Sequence, residues 1–265
     1  MAFRRLLRGR VPWDRLEAVA AEVARRYEEP TVRVRFLEAD NWLSTPCVVN
    51  DEYFVKIITP QHSLVHALLT TGRNLGAVSS GTPGFFEHFG DPVEMADHEL
   101  SATRRMRGLG VNAPAPIEAF EHDGLGVLVL EYIAEFEPLD AVDAGRAAGL
   151  APALFDALAT MHRAGLAHGD LRAENVLVSD GDLYFIDATA VDGDAIAGAR
   201  AYDVACGLAA LEPLVGSRTA VDAALGAYDA STLLEARAFL DFVNIRPDHA
   251  FDAPGVKGEI EKAAT

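Results

Sequence analysis

Three polar residues on one short stretch of the chain have the types and spacing of a metal-assisted reaction centre. Asp170 and Asn175 lie just before the apolar run 176–178, and a turn-forming cluster separates that run from a second one at 183–186. The two runs are therefore predicted to pair as a β-hairpin. This hairpin would return Asp187, just past its second strand, to a position beside Asn175.

The oxygens of these side chains suit a divalent cation. A carboxylate and an amide oxygen are hard ligands, and Mg²⁺ prefers oxygen and keeps part of its coordination for phosphate. Asn175 and Asp187 are therefore the candidate metal ligands. Asp170 is the remaining carboxylate, and it can accept a proton from an attacking hydroxyl group. The alternative is an ordinary acidic surface hairpin, which does not require three such residues at this spacing.

The same residues carry a family resemblance. The sequence H-G-D-L at 168–171 with Asn175, followed by I-D-A around Asp187, resembles the protein-kinase signatures H-R-D-L-x-x-x-N and D-F-G. The H-G-D variant is similar to that of RIO-type kinases, their small archaeal relatives and aminoglycoside phosphotransferases. The resemblance implies that Asp170 is the catalytic base and Arg172 a cation that steadies phosphate. It also implies ATP as the donor and Mg²⁺ on the two ligands.

One lysine stands out because the chain otherwise uses arginine. Lys56 lies on a strand predicted for 53–58 and is the only lysine before position 257, whereas there are 20 arginines. A compact ammonium group can contact phosphate oxygens as a point charge. The segment resembles the kinase strand motif V-A-I-K, which implies a carboxylate partner on the following helix. On the helix predicted for 94–109, Glu99 is preferred to Glu94 as this partner.

The segment that would cover the nucleotide phosphates contains no glycine. Where protein kinases have G-x-G-x-x-G, residues 37–45 offer backbone amides and the hydroxyl groups of Ser44 and Thr45. A loop without glycine approaches phosphate less closely, so ordinary ATP affinity is not implied by this segment. The resemblance places the adenine-binding hinge at the backbone of Glu131 and Ile133.

The periodicities predict an α+β chain with two lobes. Residues 1–133 are expected to form a small antiparallel β lobe with a leading helix, and residues 134–265 a mostly helical lobe with the catalytic and metal-binding loops. The resemblance identifies this arrangement as a protein-kinase-like fold of the RIO type. Between Lys56 and Glu99 the chain departs from the family pattern. Its insertion has a predicted helix at 63–69 and an aromatic loop at 81–86.

The second lobe is expected to contain further helices. They are predicted for 146–164, 220–228 and 233–243, and the tail after Pro247 is predicted to be loose. Asp203 is expected to open an apolar helix. It resembles the buried aspartate that fixes the catalytic loop in kinase-like folds, and an ordinary helix cap is the alternative.

Composition limits the classes of partner. A chain of 265 residues that is 50% hydrophobic can form a packed core. Its net charge of −17 argues against general binding to nucleic acids or membrane surfaces, because phosphates would be repelled. An acidic, lysine-poor composition is typical of proteins from a salt-rich cytoplasm, although a GC-rich genome is the alternative. Cys47 and Cys206 lack metal or redox spacing. No stretch resembles a signal peptide or membrane span, so a cytoplasmic location is expected.

Three functions fit these observations. The first is a RIO-like serine/threonine protein kinase or regulatory ATPase. The second is a small-molecule kinase of the aminoglycoside phosphotransferase type. The H-G-D motif suits this group equally well, and so does the lack of the A-P-E activation segment found in protein kinases. The third is a non-catalytic nucleotide-binding module, suggested by the glycine-free loop but disfavoured by the retention of all three polar residues of the hairpin. The acceptor hydroxyl, on a protein or a small molecule, is not identified by the sequence.

Overall fold

The computed structural model describes residues 11–37, 44–62, 74, 91–188, 196–246 and 249–265. These residues fall into two compact units. The first holds the described residues up to 62 with 91–104 and 114–134, and the second holds 105–113 and those from 135 onward. A small antiparallel sheet with a mostly helical remainder confirms the predicted α+β class.

The first unit is built on a five-stranded antiparallel sheet. Its strand order is β1-β2-β3-β5-β4, so the third and fifth strands lie side by side at its centre. Lys56 is paired with Leu128 across that central contact. The strands are β1 (Val34–Phe36), β2 (Thr45–Val49), β3 (Tyr53–Ile58), β4 (Pro116–His122) and β5 (Leu125–Glu131).

Each face of this sheet is covered by one helix, because its central strands are apolar on both sides. Helix α1 (Trp13–Arg26) is the predicted leading helix, and its apolar face packs against side chains such as Val55 and Val127. Helix α2 (Pro92–Gly108) packs against the alternate side chains, including Leu128. The period-two alternation of strand side chains therefore places Lys56 on the α2 side of the sheet.

The second unit is mostly helical, with a small three-stranded antiparallel sheet in the order β6-β7-β8. Single 3₁₀ turns lie at Leu139–Ala141 and Ala173–Asn175. The strands are β6 (Glu137–Pro138), β7 (Val176–Ser179) and β8 (Asp182–Phe185). The helices are α3 (Ala144–Arg163), α4 (Ile196–Val215), α5 (Ser217–Ala227), α6 (Ala230–Arg237), α7 (Leu240–Ile245) and α8 (Ala253–Ala263).

Two expectations for the C-terminal region were wrong. The helix predicted for 233–243 is divided into α6 and α7. The tail predicted to be loose contains α8, which begins after Asp252, whose carboxylate accepts a hydrogen bond from the Gly255 amide at 3.0 Å. Burial of Val256 and Ile260 then holds the helix in place, which offsets the unfavourable helix propensity of its glycines.

Three sequence predictions lie outside the described residues. They concern the helix at 63–69, the aromatic loop at 81–86, and residues 38–43 of the phosphate loop. Within the described part of the chain, no helix is long and apolar enough to cross a membrane.

The packing of α2 on the sheet depends on a glycine. A Cβ atom at Gly126 would lie 2.0 Å from the carbonyl oxygen of Pro92 in the helix backbone. We expect Gly126→Ala to lower the free energy of unfolding by about 2 kcal/mol or more, because the helix backbone must move. Gly108→Ala is the matched control, since a Cβ there meets nothing within 4 Å. Urea unfolding measures both variants, and equal stabilities would contradict the close contact.

Candidate active site

Lys56 and Glu99 form a nearly buried ion pair in the first unit. The Lys56 Nζ atom lies 2.8 Å from each oxygen of the Glu99 carboxylate. Only 7% of the lysine side chain and 13% of the glutamate side chain are exposed. The structure thus brings together the two residues that the sequence predicts as partners. The preferred candidate, Glu99, makes this contact with the lysine. The two-oxygen contact fixes the ammonium group on the α2 face of the sheet.

Two other predicted nucleotide contacts of the first unit offer polar groups. Ser44 is buried, and its hydroxyl has no hydrogen-bond partner among the described residues. A buried hydroxyl without a partner is unfavourable, so this group is suited to donate to a ligand. At the predicted hinge, the Glu131 amide donates to the Ala115 carbonyl at 2.9 Å, and the Glu131 carboxylate accepts from the Ala115 amide at 3.1 Å. The backbone of the predicted hinge is therefore hydrogen-bonded to the residue that precedes β4.

In the second unit, Asp170 and Asn175 are nearly buried and joined through the backbone. The Asn175 Nδ2 atom donates to the Asp170 carbonyl at 2.9 Å. This bond orients the amide so that Oδ1 is its remaining ligand atom. The Arg172 Nη2 atom lies 3.4 Å from that oxygen, and its Nε atom lies 3.6 Å from Asp170 Oδ2. Arg172 is thus close to both predicted site residues.

The hairpin delivers Asp187 as predicted. Strands β7 and β8 pair from Val176 with Phe185 to Ser179 with Asp182. At the open end of this hairpin, the Ile186 amide donates to the Asn175 carbonyl at 3.0 Å. Asp187 is the next residue after Ile186.

The backbone of Asp187 is unusual. Its φ of 62° lies in the left-handed region, which non-glycine residues enter rarely and aspartate enters more readily than most. A backbone held in a sparsely populated conformation outside a hairpin turn is often found at a functional site. The oxygens of Asn175 and Asp187 have the chemistry that Mg²⁺ requires, and phosphate and water would supply its other ligands.

A buried carboxylate fixes the loop that carries Asp170. Asp203 is fully buried, and its two oxygens accept the backbone amides of His168 at 2.6 Å and Gly169 at 2.8 Å. Gly169 has a φ of 77°, which glycine adopts without a steric penalty. Asp203 lies inside α4 (Ile196–Val215). The expectation that it opens the helix was therefore wrong, and the alternative of a helix cap is excluded.

Two further buried residues support Asp203 from behind. The His162 Nε2 atom lies 3.1 Å from Asp203 Oδ2, and the Tyr228 hydroxyl lies 2.7 Å from His162 Nδ1. Burial raises the pKa of Tyr228, so its hydroxyl is protonated and can donate to the imidazole, which then donates to the carboxylate. Burial also lowers the pKa of His168, against the opposing effect of the nearby aspartates.

One residue that contacts the site was missed by the sequence analysis. Arg246 follows α7, and its Nη2 atom lies 2.9 Å from Asp170 Oδ1. No local motif marks this arginine, and it is 76 positions away from its partner. Only the packing of the C-terminal helices brings the two side chains together.

Three kinds of comparison with known proteins each give a match. A family model described as the RIO domain matches residues 92–194, about two fifths of the chain. A Methanothermobacter thermautotrophicus protein, named as a probable bifunctional tRNA threonylcarbamoyladenosine biosynthesis protein, is 33% identical over 181 residues. This match covers 67% of the chain, and the chain spans 27% of that protein's length. The solved kinase domain of PknI from Mycobacterium tuberculosis matches with 16% identity and a TM-score of 0.41, covering 89% of this chain and 96% of that one.

The role of Asp203 predicts a large stability loss on a small change. Asp203→Asn replaces one accepting oxygen with an NH₂ group, so one loop amide loses its partner in a buried site. We expect the free energy of unfolding to fall by about 2 to 4 kcal/mol. Asp222→Asn, on the exposed face of α5 beside Arg218, is the control and should cost less than about 0.5 kcal/mol. Chemical unfolding tests both; a stable Asp203→Asn protein would contradict the analysis.

Proposed function

We propose that the chain is an atypical RIO-type serine/threonine protein kinase or regulatory ATPase. The RIO-domain match over residues 92–194 and the 33% identity to the archaeal relative confirm the resemblance that the sequence predicted. The observation that supports the activity most directly is the retained set of polar residues in the second unit. The Asn175 side chain donates to the Asp170 carbonyl, and the amide of Ile186, the residue before Asp187, donates to the Asn175 carbonyl.

In the proposed reaction, each residue of the set has a separate task. Lys56 binds phosphate oxygens of ATP with its ammonium group, which Glu99 orients. Asn175 and Asp187 hold Mg²⁺, which supplies charge neutralisation for the phosphates. Ser44 donates its hydroxyl to phosphate, and the backbone of Glu131 and Ile133 binds adenine.

Asp170 acts on the acceptor. Its carboxylate accepts the proton of a hydroxyl group or a water molecule as the acceptor oxygen forms a bond to the γ-phosphorus. The bond from that phosphorus to the bridging oxygen breaks, and ADP leaves with the electron pair. Arg172, beside both Asp170 and Asn175, offsets negative charge on the transferring group. Catalysis of this kind depends on positioning and charge neutralisation.

The archaeal relative suggests a cellular context. Its printed name refers to tRNA threonylcarbamoyladenosine biosynthesis, and it is called bifunctional. We propose that this chain serves the same process by acting on a protein component and not on the tRNA. The net charge of −17 supports this choice, because RNA phosphates would be repelled.

The activity is tested by incubating the protein with γ-labelled ATP and Mg²⁺ and following label into protein and into free phosphate. Asp170→Asn and Asp187→Asn should each lower turnover by about 10³-fold or more, because base and metal ligand are lost. Asp182→Asn changes an exposed carboxylate of the same hairpin and should keep the wild-type rate.

The outcomes separate the proposed functions. Label in protein supports the kinase, and free phosphate alone supports the ATPase. A small-molecule kinase would label an added hydroxyl compound but no protein. If all four proteins bind nucleotide and none of them, the wild type included, turns it over, the catalytic proposal is overturned and a binding module is favoured.

A further inference from the structure

Arg246 forms a nearly buried ion pair with the carboxylate proposed as the catalytic base. Its Nη2 atom lies 2.9 Å from Asp170 Oδ1, and the two side chains are only 9% and 8% exposed. Most ion pairs on protein surfaces contribute little, because solvent screens them and both side chains are mobile. A pair that is shielded from solvent has neither weakness, and the loss of one partner leaves the other charge uncompensated.

The guanidinium group of Arg246 is itself held in place. Its Nη1 atom donates a hydrogen bond to the hydroxyl of Tyr202. Tyr202 is fully buried in α4, and its ring packs against Phe239 at 6.0 Å and Phe242 at 6.1 Å between centroids. The planar guanidinium group therefore connects a rigid aromatic cluster with the catalytic loop, using two of its donors in fixed directions.

These contacts restrict the carboxylate without occupying it fully. Asp170 Oδ1 accepts from Arg246, Oδ2 faces Arg172 Nε at 3.6 Å, and the backbone carbonyl of Asp170 accepts from Asn175. An ionised carboxylate has about four lone-pair positions, so one hydrogen bond from Arg246 does not by itself prevent Oδ1 from accepting a second. The arginine thus limits rotation of the side chain.

We propose that Arg246 is a positioning residue, which orients the Asp170 carboxylate toward the acceptor hydroxyl from the C-terminal end of α7. The inference rests on the proposed function of Asp170. Through Arg246, α7 and the aromatic cluster of Tyr202, Phe239 and Phe242 support the base. The packing of the C-terminal helices would therefore affect catalysis. A displacement of about 1 Å in a reacting group can cost about 100-fold in rate, so this support is expected to affect turnover strongly.

A double-mutant cycle with Asp170 tests the proposal. Arg246→Gln should lower kcat for ATP turnover about 10- to 100-fold and change the KM for ATP less than about twofold, since the nucleotide contacts are elsewhere. In the Asp170→Asn background the same change should lower kcat by less than about twofold, because the residue acts through the carboxylate. Arg246→Lys, which keeps the charge, should recover part of the rate. Arg218→Gln, at an exposed arginine of α5, should match the wild type.

Several results would overturn the proposal. Effects of Arg246→Gln and Asp170→Asn that multiply would show that the arginine acts independently of the base. A loss of transfer to protein with unchanged hydrolysis of ATP would make Arg246 an acceptor-binding residue instead. If the wild type turns over no ATP, the proposed function fails. The ion pair is then tested by thermal unfolding of the wild type, Arg246→Gln, Asp170→Asn and the double variant. Additive shifts in Tm would then refute the coupling, and non-additive shifts would support a structural link between the two residues.

Discussion

The geometry of the loop that carries Asp170 depends on one buried carboxylate. Asp203 accepts the amides of His168 and Gly169, and these two residues immediately precede the proposed base. An ionised carboxylate without partners would be very unfavourable in the protein interior, so the loop must supply its amides whenever α4 is packed. His162, itself bonded to the Tyr228 hydroxyl, completes this set of partners. The fold of the helical unit thus determines where Asp170 lies.

Each unit, taken by itself, contains a nearly buried ion pair that orients a charged side chain. In the first, the Lys56 ammonium is fixed by both oxygens of Glu99 in a nearly buried pair. In the second, Asp170 is paired with Arg246 in similar shielding. Charged groups of both signs are therefore oriented by partners from within their own units. Such preorganisation reduces the reorganisation that phosphoryl transfer would otherwise require, which fits a reaction that depends on positioning.

Local patterns predicted where some candidate residues lie, and long-range packing was not predicted. The place of Asp187 after the hairpin could be predicted because the D-G turn sets the register of β7 and β8. Lys56 could be singled out because its residue type is rare in the chain, and its pairing with Glu99 follows from the structure. Arg246 was missed because its contact depends on the packing of α7 against α4, which no local pattern encodes. Helix α8 was missed because its proline and glycines resemble a loop, whereas tertiary burial of Val256 and Ile260 outweighs their low propensity.

We propose that Asn175 and Asp187 hold a divalent cation together with a nucleotide. Electron paramagnetic resonance of Mn²⁺, as a substitute for Mg²⁺, can test this in the presence and absence of a non-hydrolysable ATP analogue. We expect the wild type to bind Mn²⁺ tightly only with the nucleotide, because two protein oxygens alone are too few ligands. We also expect Asp187→Asn to weaken this binding strongly. Equal Mn²⁺ binding by wild type and variant in the presence of nucleotide would show that Asp187 is not a ligand of the cation.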